Sequence, residues 1–247
     1  MTAIVAAAWR VVLRRAQANW PILGAAMLTI LLATTLLSAG PIYAGAVTLS
    51  GLRRTLHDSP TTKANVEISI FSADGEYPSV DKLTSDTIPS AFATTGGSVF
   101  RSGRSESFAL PTQPEGDVKN LAVFSFFQSI QDHATIVDGA WPQTSSGGPV
   151  NAAIPDSTAK LLNLNVGSTF TLVSRRIETY TVDVNIVGIY HVNDTADPYW
   201  WDDELDTKGV ATGASFVTYG PFVTTSQDFF SHQGGLAAQV SWRIYPN

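Results

Sequence analysis

Apolar positions along this chain follow two patterns, and the patterns divide it. Residues 21–47 read PILGAAMLTILLATTLLSAGPIYAGAV, without a charged side chain. At 1.5 Å per residue, residues 21–39 alone make about 28 Å of helix, close to the ~30 Å hydrocarbon core of a bilayer. The apolar residues occupy every helical face, which predicts a membrane span rather than the core helix of a soluble body. Trp20 and Tyr43 stand where interfacial aromatics belong, and Gly40-Pro41 predicts a kink or exit point. Residues 47–56 predict a helical continuation, ended by Asp58-Ser59-Pro60.

Beyond the span the period changes from every face to every second residue. Residues 65–70 alternate, with Val66, Ile68 and Ile70 expected on a buried face and Asn65, Glu67 and Ser69 on a wet one. Residues 72–75 predict a turn. Residues 79–118, rich in Ser, Thr, Gly and Pro, predict loop with short pieces of helix or strand, and 121–127 a buried strand. The best-organised region is 149–192. It predicts a strand at 150–154, then a short helix through Leu162 capped by Asp156 or Ser157. A strand at 169–173, a turn at 174–178 and a long strand at 180–190 follow. In the long strand Tyr180, Val182, Val184 and Ile186 share one face; Thr181, Asp183 and Asn185 share the other. A short helix among hairpin-linked strands makes the fold class α+β: one N-terminal transmembrane helix followed by a β-rich mixed extracytoplasmic domain. The expected division is a cytoplasmic amphipathic segment at 1–20, a transmembrane helix at 21–47 and an extracytoplasmic domain at 48–247.

Charge sets the direction of the span. The net charge is −6; residues 1–20 contribute +3 through Arg10, Arg14 and Arg15 and residues 21–50 contribute none, so the remainder carries −9. The positive-inside rule places the N-terminus in the cytoplasm, with Arg53 and Arg54 slightly weakening the bias. Residues 3–19 read as a short cationic amphipathic helix lying along the inner leaflet. A cleavable signal peptide shares the order basic, apolar, small. Its apolar core spans only about 7–15 residues, so an uncleaved anchor in the cell membrane is the expectation. The acidic remainder excludes nucleic acid as a partner, because phosphate binding needs a basic surface. With no cysteine, there is no disulfide, thiolate metal site or cysteine nucleophile.

Little in the sequence points to chemistry. His57, His133, His191 and His232 lack zinc-ligand spacing, and each is read as a surface or locally bonded histidine. Asp202, Asp203, Glu204 and Asp206, with Asp194 and Asp197 nearby, offer hard oxygen ligands suited to calcium. They lack the order of a calcium loop, and a solvated acidic loop is expected. No G-x-S-x-G elbow or Walker A loop is present. Gly96-Gly97 and Gly234-Gly235 read as ordinary loop glycines. No catalytic, cofactor-binding or metal residue is nominated, no cofactor is expected, and the chain is not read as an enzyme. Tyr199-Trp200-Trp201 is expected to fill a small core, ahead of the alternative of an exposed recognition patch.

Three stretches carry a resemblance: Ala159-Lys-Leu-Leu-Asn-Leu-Asn-Val-Gly167-Ser-Thr-Phe-Thr-Leu172, then Val184-Asn-Ile-Val-Gly188-Ile-Tyr190, then Asp197-Pro-Tyr-Trp200. Together they are similar to the extracytoplasmic core domain of FtsX-like and MacB-like ABC transporter permeases, with Ser168 where the family usually has aspartate. The order of basic helix, one span and large external domain is also similar. The resemblance implies a permease component whose external domain transmits motion driven by a cytoplasmic ABC ATPase. Its implied partners are the lipid bilayer, that ATPase subunit, and the remaining permease spans or a second permease copy. The family has three further spans, whereas here no second long apolar stretch follows before Ser241-Trp-Arg-Ile-Tyr-Pro-Asn247. The expectation is therefore a permease subunit or an N-terminal fragment of one. The alternative is an independent membrane-anchored binding or sensor module.

Overall fold

A computed structural model describes residues 19–57, 65–72, 76–92, 98–114, 117–145, 147–232, 236 and 238–245. The basic segment with Arg10, Arg14 and Arg15, the break at 58–60, most of the 72–75 turn, Gly96-Gly97 and Gly234-Gly235 lie outside the described residues. The chain divides into two compact units, residues 1–59 and 60–247.

The described part of the first unit is one helix, α1 (Trp20–His57), of 38 residues. None of the Trp20–Ser38 stretch is buried by the protein, and its mean hydropathy is 1.9. The polar residues within it spend their hydroxyls locally. Thr34 Oγ1 donates to Ile30 O at 2.9 Å, Thr35 Oγ1 to Leu31 O at 2.9 Å and Ser38 Oγ to Thr34 O at 2.8 Å. Back-bonded hydroxyls have little left to lose on leaving water. Gly40-Pro41, expected to be a kink or an exit point, is not an exit point: the helix runs on through 47–56, where a continuation is expected, to His57. A proline removes a single backbone donor, and the turns on either side keep theirs.

Among the described residues the second unit has eleven strands in one sheet. In chain order they are β1 (Val66–Ser72), β2 (Ser98–Arg104), β3 (Phe108–Ala109), β4 (Asn120–Phe127), β5 (Ala134–Gly139), β6 (Val150–Pro155), β7 (Thr169–Ser174), β8 (Thr181–Val192), β9 (Val210–Thr212), β10 (Val217–Val223) and β11 (Ala238–Tyr245). Helices α2 (Tyr77–Ala91), α3 (Asp156–Leu162), α4 (Glu204–Lys208) and α5 (Ser226–Ser231) complete it. Six strands close on themselves in the order β4-β3-β7-β8-β6-β10, because β10 also pairs with β4. The ring mixes parallel pairs, β6 with β8 and β10 with β4, with antiparallel ones. A closed ring has no edge to protect. Its interior is filled by Phe108, Ala122, Phe124, Ala152, Ile154, Leu172, Val184, Ile186 and Phe222, all buried. Strands β1, β11 and β2 extend from β4 as a wing.

The region 149–192 folds much as its pattern predicts, with two changes. No side chain caps α3: its N-cap is Pro155, and Asp156 instead pairs with Lys160 at 2.9 Å. Asn163 ends the helix at φ 53°, a conformation asparagine tolerates. In β8 the alternation holds through Ile186, then slips. Ile186 pairs with Ala152 but Gly188 with Ala153, so one extra residue bulges out and Tyr190 turns to the opposite face from Ile186. There it joins a second core with Ile130, Ala134, Val192, Tyr199 and Trp200.

Residues 79–118 are more ordered than expected, holding most of α2 and all of β2. Pro78 suits the first turn of α2, and Tyr77, Val80 and Ile88 face the core. In β1 the register sets Val66, Ile68 and Ile70 opposite the buried Ile244, Trp242 and Val240. The first two nevertheless remain 41% and 37% exposed, because among the described residues no strand lies beyond β1.

One buried hydroxyl ties three elements together. Thr158 on α3 donates to Gly209 O at 2.7 Å, with Gly220 O also in reach at 3.2 Å. Thr158→Val keeps the shape and removes the donor. It is expected to cost about 1–3 kcal/mol, since the carbonyls are left without it; the denaturant midpoint measures this.

Candidate functional site

The wing has two unlike faces. Register places Glu67 opposite Arg243, Arg243 opposite Phe100, Ser241 opposite Ser102, and Arg104 opposite both Gln239 and Ser125. Residues two apart share a face. One face of β11 therefore presents Ser241 and Arg243, and the other presents Val240, Trp242 and Ile244 to the core.

The polar face is covered by residues 198–208. A 3-10 turn at Pro198–Trp200 leads into Trp201 and Asp202, both left-handed at φ 57° and 55°. Asp203 then caps α4, accepting from the backbone amides of Leu205 at 2.9 Å and Asp206 at 3.3 Å. This fixes both carboxylates over Arg104. Its Nη1 donates to Asp203 Oδ2 at 2.8 Å and its Nη2 to Asp206 Oδ1 at 2.6 Å. Beside it Arg243 Nε donates to Glu67 Oε1 at 3.2 Å, and the guanidinium lies 5.6 Å from the Trp201 ring centre.

Aromatic packing holds the covering segment down. Tyr199 stacks on His133 at 3.7 Å, and His133 Nδ1 lies 2.7 Å from Asp197 Oδ2. Tyr199 donates its hydroxyl to Gln128 O at 2.7 Å, and Tyr245 donates to Pro198 O at 2.7 Å.

Under this cover lies a polar cleft of about 140 Å³, lined among others by Arg104, Arg243, Asp206 and Ser125. Three residues of its lining each keep one buried atom without a hydrogen-bond partner: Asp206 Oδ2, Arg243 Nη1 and Ser125 Oγ. Burial pushes the Asp206 carboxyl up to about 6; attraction to Arg104 opposes this, and the Asp203 charge reinforces it. Asp203 goes the other way. Its burial disfavours ionisation, but Arg104 and the capped amides hold it below the usual carboxylate range. Burial disfavours charge on Arg104 too, yet the two carboxylates raise its pKa.

A larger groove of about 440 Å³ is lined by Tyr77, Phe126, Phe127 and Trp141. Its one cation, Arg101, is already engaged at Nε by Asp81 at 2.6 Å, at Nη1 by Gln128 at 3.1 Å and at Nη2 by Ser85 at 2.7 Å.

The acidic cluster is thus not a solvated loop throughout. Asp206 is fully buried, because the turn of α4 points it inward at Arg104, while Asp202 and Glu204 are exposed. Tyr199-Trp200-Trp201 divides as well: Tyr199 and Trp200 are buried, and Trp201 is a half-buried wall of the cleft. His191 lies 3.6 Å from Asp156, His232 bonds within its own turn, and the side chain of His57 is outside the described residues. Among the described residues, no three His, Asp or Glu side chains group as metal ligands would. Reading from the sequence missed Arg104 and Arg243. The only signal was a polar phase, Gln239, Ser241 and Arg243, inside an otherwise apolar strand.

No family model matches the chain, and no curated protein matches it. Among solved structures it is similar to one described as a domain of a candidate permease protein from Porphyromonas gingivalis. That likeness has 10% identity and a TM-score of 0.31, and covers 77% of this chain and 79% of that one.

Proposed function

We propose that this chain is a membrane-anchored component of an ABC permease of the FtsX/MacB type. In this reading it crosses the bilayer once through α1, N-terminus inside, and carries the β body outside, where the body relays motion and performs no reaction of its own. The observation that carries the anchor is the Trp20–Ser38 stretch, none of which is buried by protein. So much unclaimed apolar surface has lipid as its natural solvent. The relay reading is supported by the resemblance at residues 159–200. Those residues form α3, the turn at Gly167 and strands β7 and β8, half of the barrel wall's antiparallel pairing. A closed barrel is stiff enough to pass on a displacement.

The absence of cysteine makes the test direct. Single cysteines at Thr2 and at the exposed Lys160 are probed with a membrane-impermeant maleimide on intact cells. Lys160→Cys is expected to react at once, and Thr2→Cys only after permeabilisation; the reverse would overturn the topology. Chain extracted in mild detergent is expected to bring down a nucleotide-binding subunit and to show no ATPase activity alone. Absence of such a subunit would remove the permease reading. It would favour the second one, an anchored binding module.

A further inference from the structure

We propose that the open edge of β1 is a self-pairing surface, on which β1 of a second copy of this chain adds antiparallel about a two-fold axis through Ile68. The proposal rests on the sheet alone and stands whether or not the permease reading does.

The argument starts from how this sheet treats its edges. An unpaired strand edge invites another strand, and proteins blunt it by shortness, proline, lysine, a bulge or a free charge. Strand β9, at one end of the sheet, is three residues long. Strand β5, which pairs with β8 alone, is bulged between Ile136 and Asp138. Strand β1, at the other end, has none of these devices. It is seven residues long, pairs with β11 at each of them without a register shift, and contains neither proline nor lysine. Its one charge, Glu67, is spent on Arg243 of β11. Among the described residues no backbone group pairs with the outer edge of residues 66–71. Val66, Ile68 and Phe71 keep exposed apolar surface along it.

Self-complementarity names the occupant. Residues directly opposite in an antiparallel pair share a face, so a two-fold axis normal to the sheet sets one residue opposite itself. An axis through Ile68 sets Val66 of each copy opposite Ile70 of the other, and Glu67 opposite Ser69. The apolar rows of the two copies then join, continuing the row that Val240, Trp242 and Ile244 begin on β11. Each Glu67 meets a hydroxyl able to donate to it. An axis through Glu67 would oppose two carboxylates, which is repulsive. An axis through Ser69 would set Glu67 against Phe71 and Val66 against Ser72. The match at Ile68 needs only the chain's own sequence.

The chain lacks cysteine, so single cysteines report the register directly. Ile68→Cys and Val66→Cys are made in the full chain and oxidised in membrane vesicles with copper phenanthroline. The proposed pairing brings the Cα atoms of the two residues 68 within about 5.5 Å, inside disulfide range. It holds the two residues 66, on the same face, about 14 Å apart along the strands. Ile68→Cys is expected to give disulfide-linked dimer at least about tenfold faster than Val66→Cys. No dimer from Ile68→Cys, or equal rates from both, would overturn the proposal. Ile68→Lys and Ile68→Glu probe the same contact by charge. Each alone is expected to sediment as a monomer in mild detergent, because like charges meet at the axis, and the two co-expressed to recover the dimer. Dimer persisting in either variant alone overturns the proposal. So does a lack of recovery when both keep the parent's thermal midpoint. Where the charged variants fail to fold, the cysteine pair decides, since Ile68→Cys keeps a small apolar side chain at a position that is not fully buried.

Discussion

Arg104→Ala is expected to destabilise the β body by about 3–5 kcal/mol at neutral pH, the usual cost of removing one partner from a buried ion pair. The asymmetry of the pair sets this size. The Arg104 side chain is 31% exposed, whereas that of Asp206 is fully buried. Truncating the arginine strands a carboxylate in the interior. The loss is also expected to depend on pH. Asp206 has a folded-state pKa raised from 3.8 to about 6. The folded state thus holds that proton more tightly than the unfolded chain does. Its contribution is present below about pH 4 and is lost as pH rises through about 6. Without Arg104 the carboxyl moves higher still, so the variant recovers on acidification. Asp203 does not change this window: Arg104 holds its pKa below 3.8 in the parent, so its contribution is present above that value and is lost only in more acidic solution. The gap between parent and variant should therefore narrow from pH 8 to pH 5. Denaturant midpoints across that range measure it. An equal gap across that range would mean that Asp206 does not sense Arg104.

Gly188→Ala is expected to cost on the order of 3 kcal/mol by forcing apart two strands at the bulge of β8. A Cβ there would collide with the carbonyl oxygen of Ala140, which is backbone and cannot rotate away. The same contact is closed from the other side. Gly139, at φ +73°, has no room for a Cβ against Val187 O, and Ala140 N donates to Val187 O at 3.0 Å. Glycine is needed here for close approach of backbones. Gly167 is the control. It also has positive φ, +88°, but open space around it, so Gly167→Ala should cost only the left-handed penalty of about 1–2 kcal/mol. Unfolding curves compare the two. Hydrogen exchange at the Ala140 amide should speed up for Gly188→Ala and not for Gly167→Ala.

The bulge also marks where local reading stops. Residues 180–186 alternate, and β8 obeys the pattern as far as Ile186. Nothing in the string Val187-Gly188-Ile189-Tyr190 announces that Tyr190 changes face. That follows from the pairing of β8 with its neighbours: it carries one residue more than β6 between Ile186 and Gly188, while β5 carries one more than β8 between Ile136 and Asp138. Likewise α2 hid in a segment rich in serine, threonine and proline. Its helical state depends on Tyr77, Val80 and Ile88 finding a core made by strands far away in sequence. Propensity alone gave it weak support.

The sequence by itself determined the features that are local and periodic. These are the long apolar run within α1, the strands of 149–192 with the short helix between them, and the buried strand near 121–127. Each follows from side-chain spacing, which a helix or strand expresses wherever it lies. Only the tertiary structure decided the closure of the barrel, the split of Tyr199-Trp200-Trp201 between core and cleft, and the burial of Asp206 beneath Arg104. Those depend on pairs such as Arg104 with Asp206, about a hundred residues apart. Such a pair leaves no period in the sequence, because the distance that matters is the one that strand pairing creates.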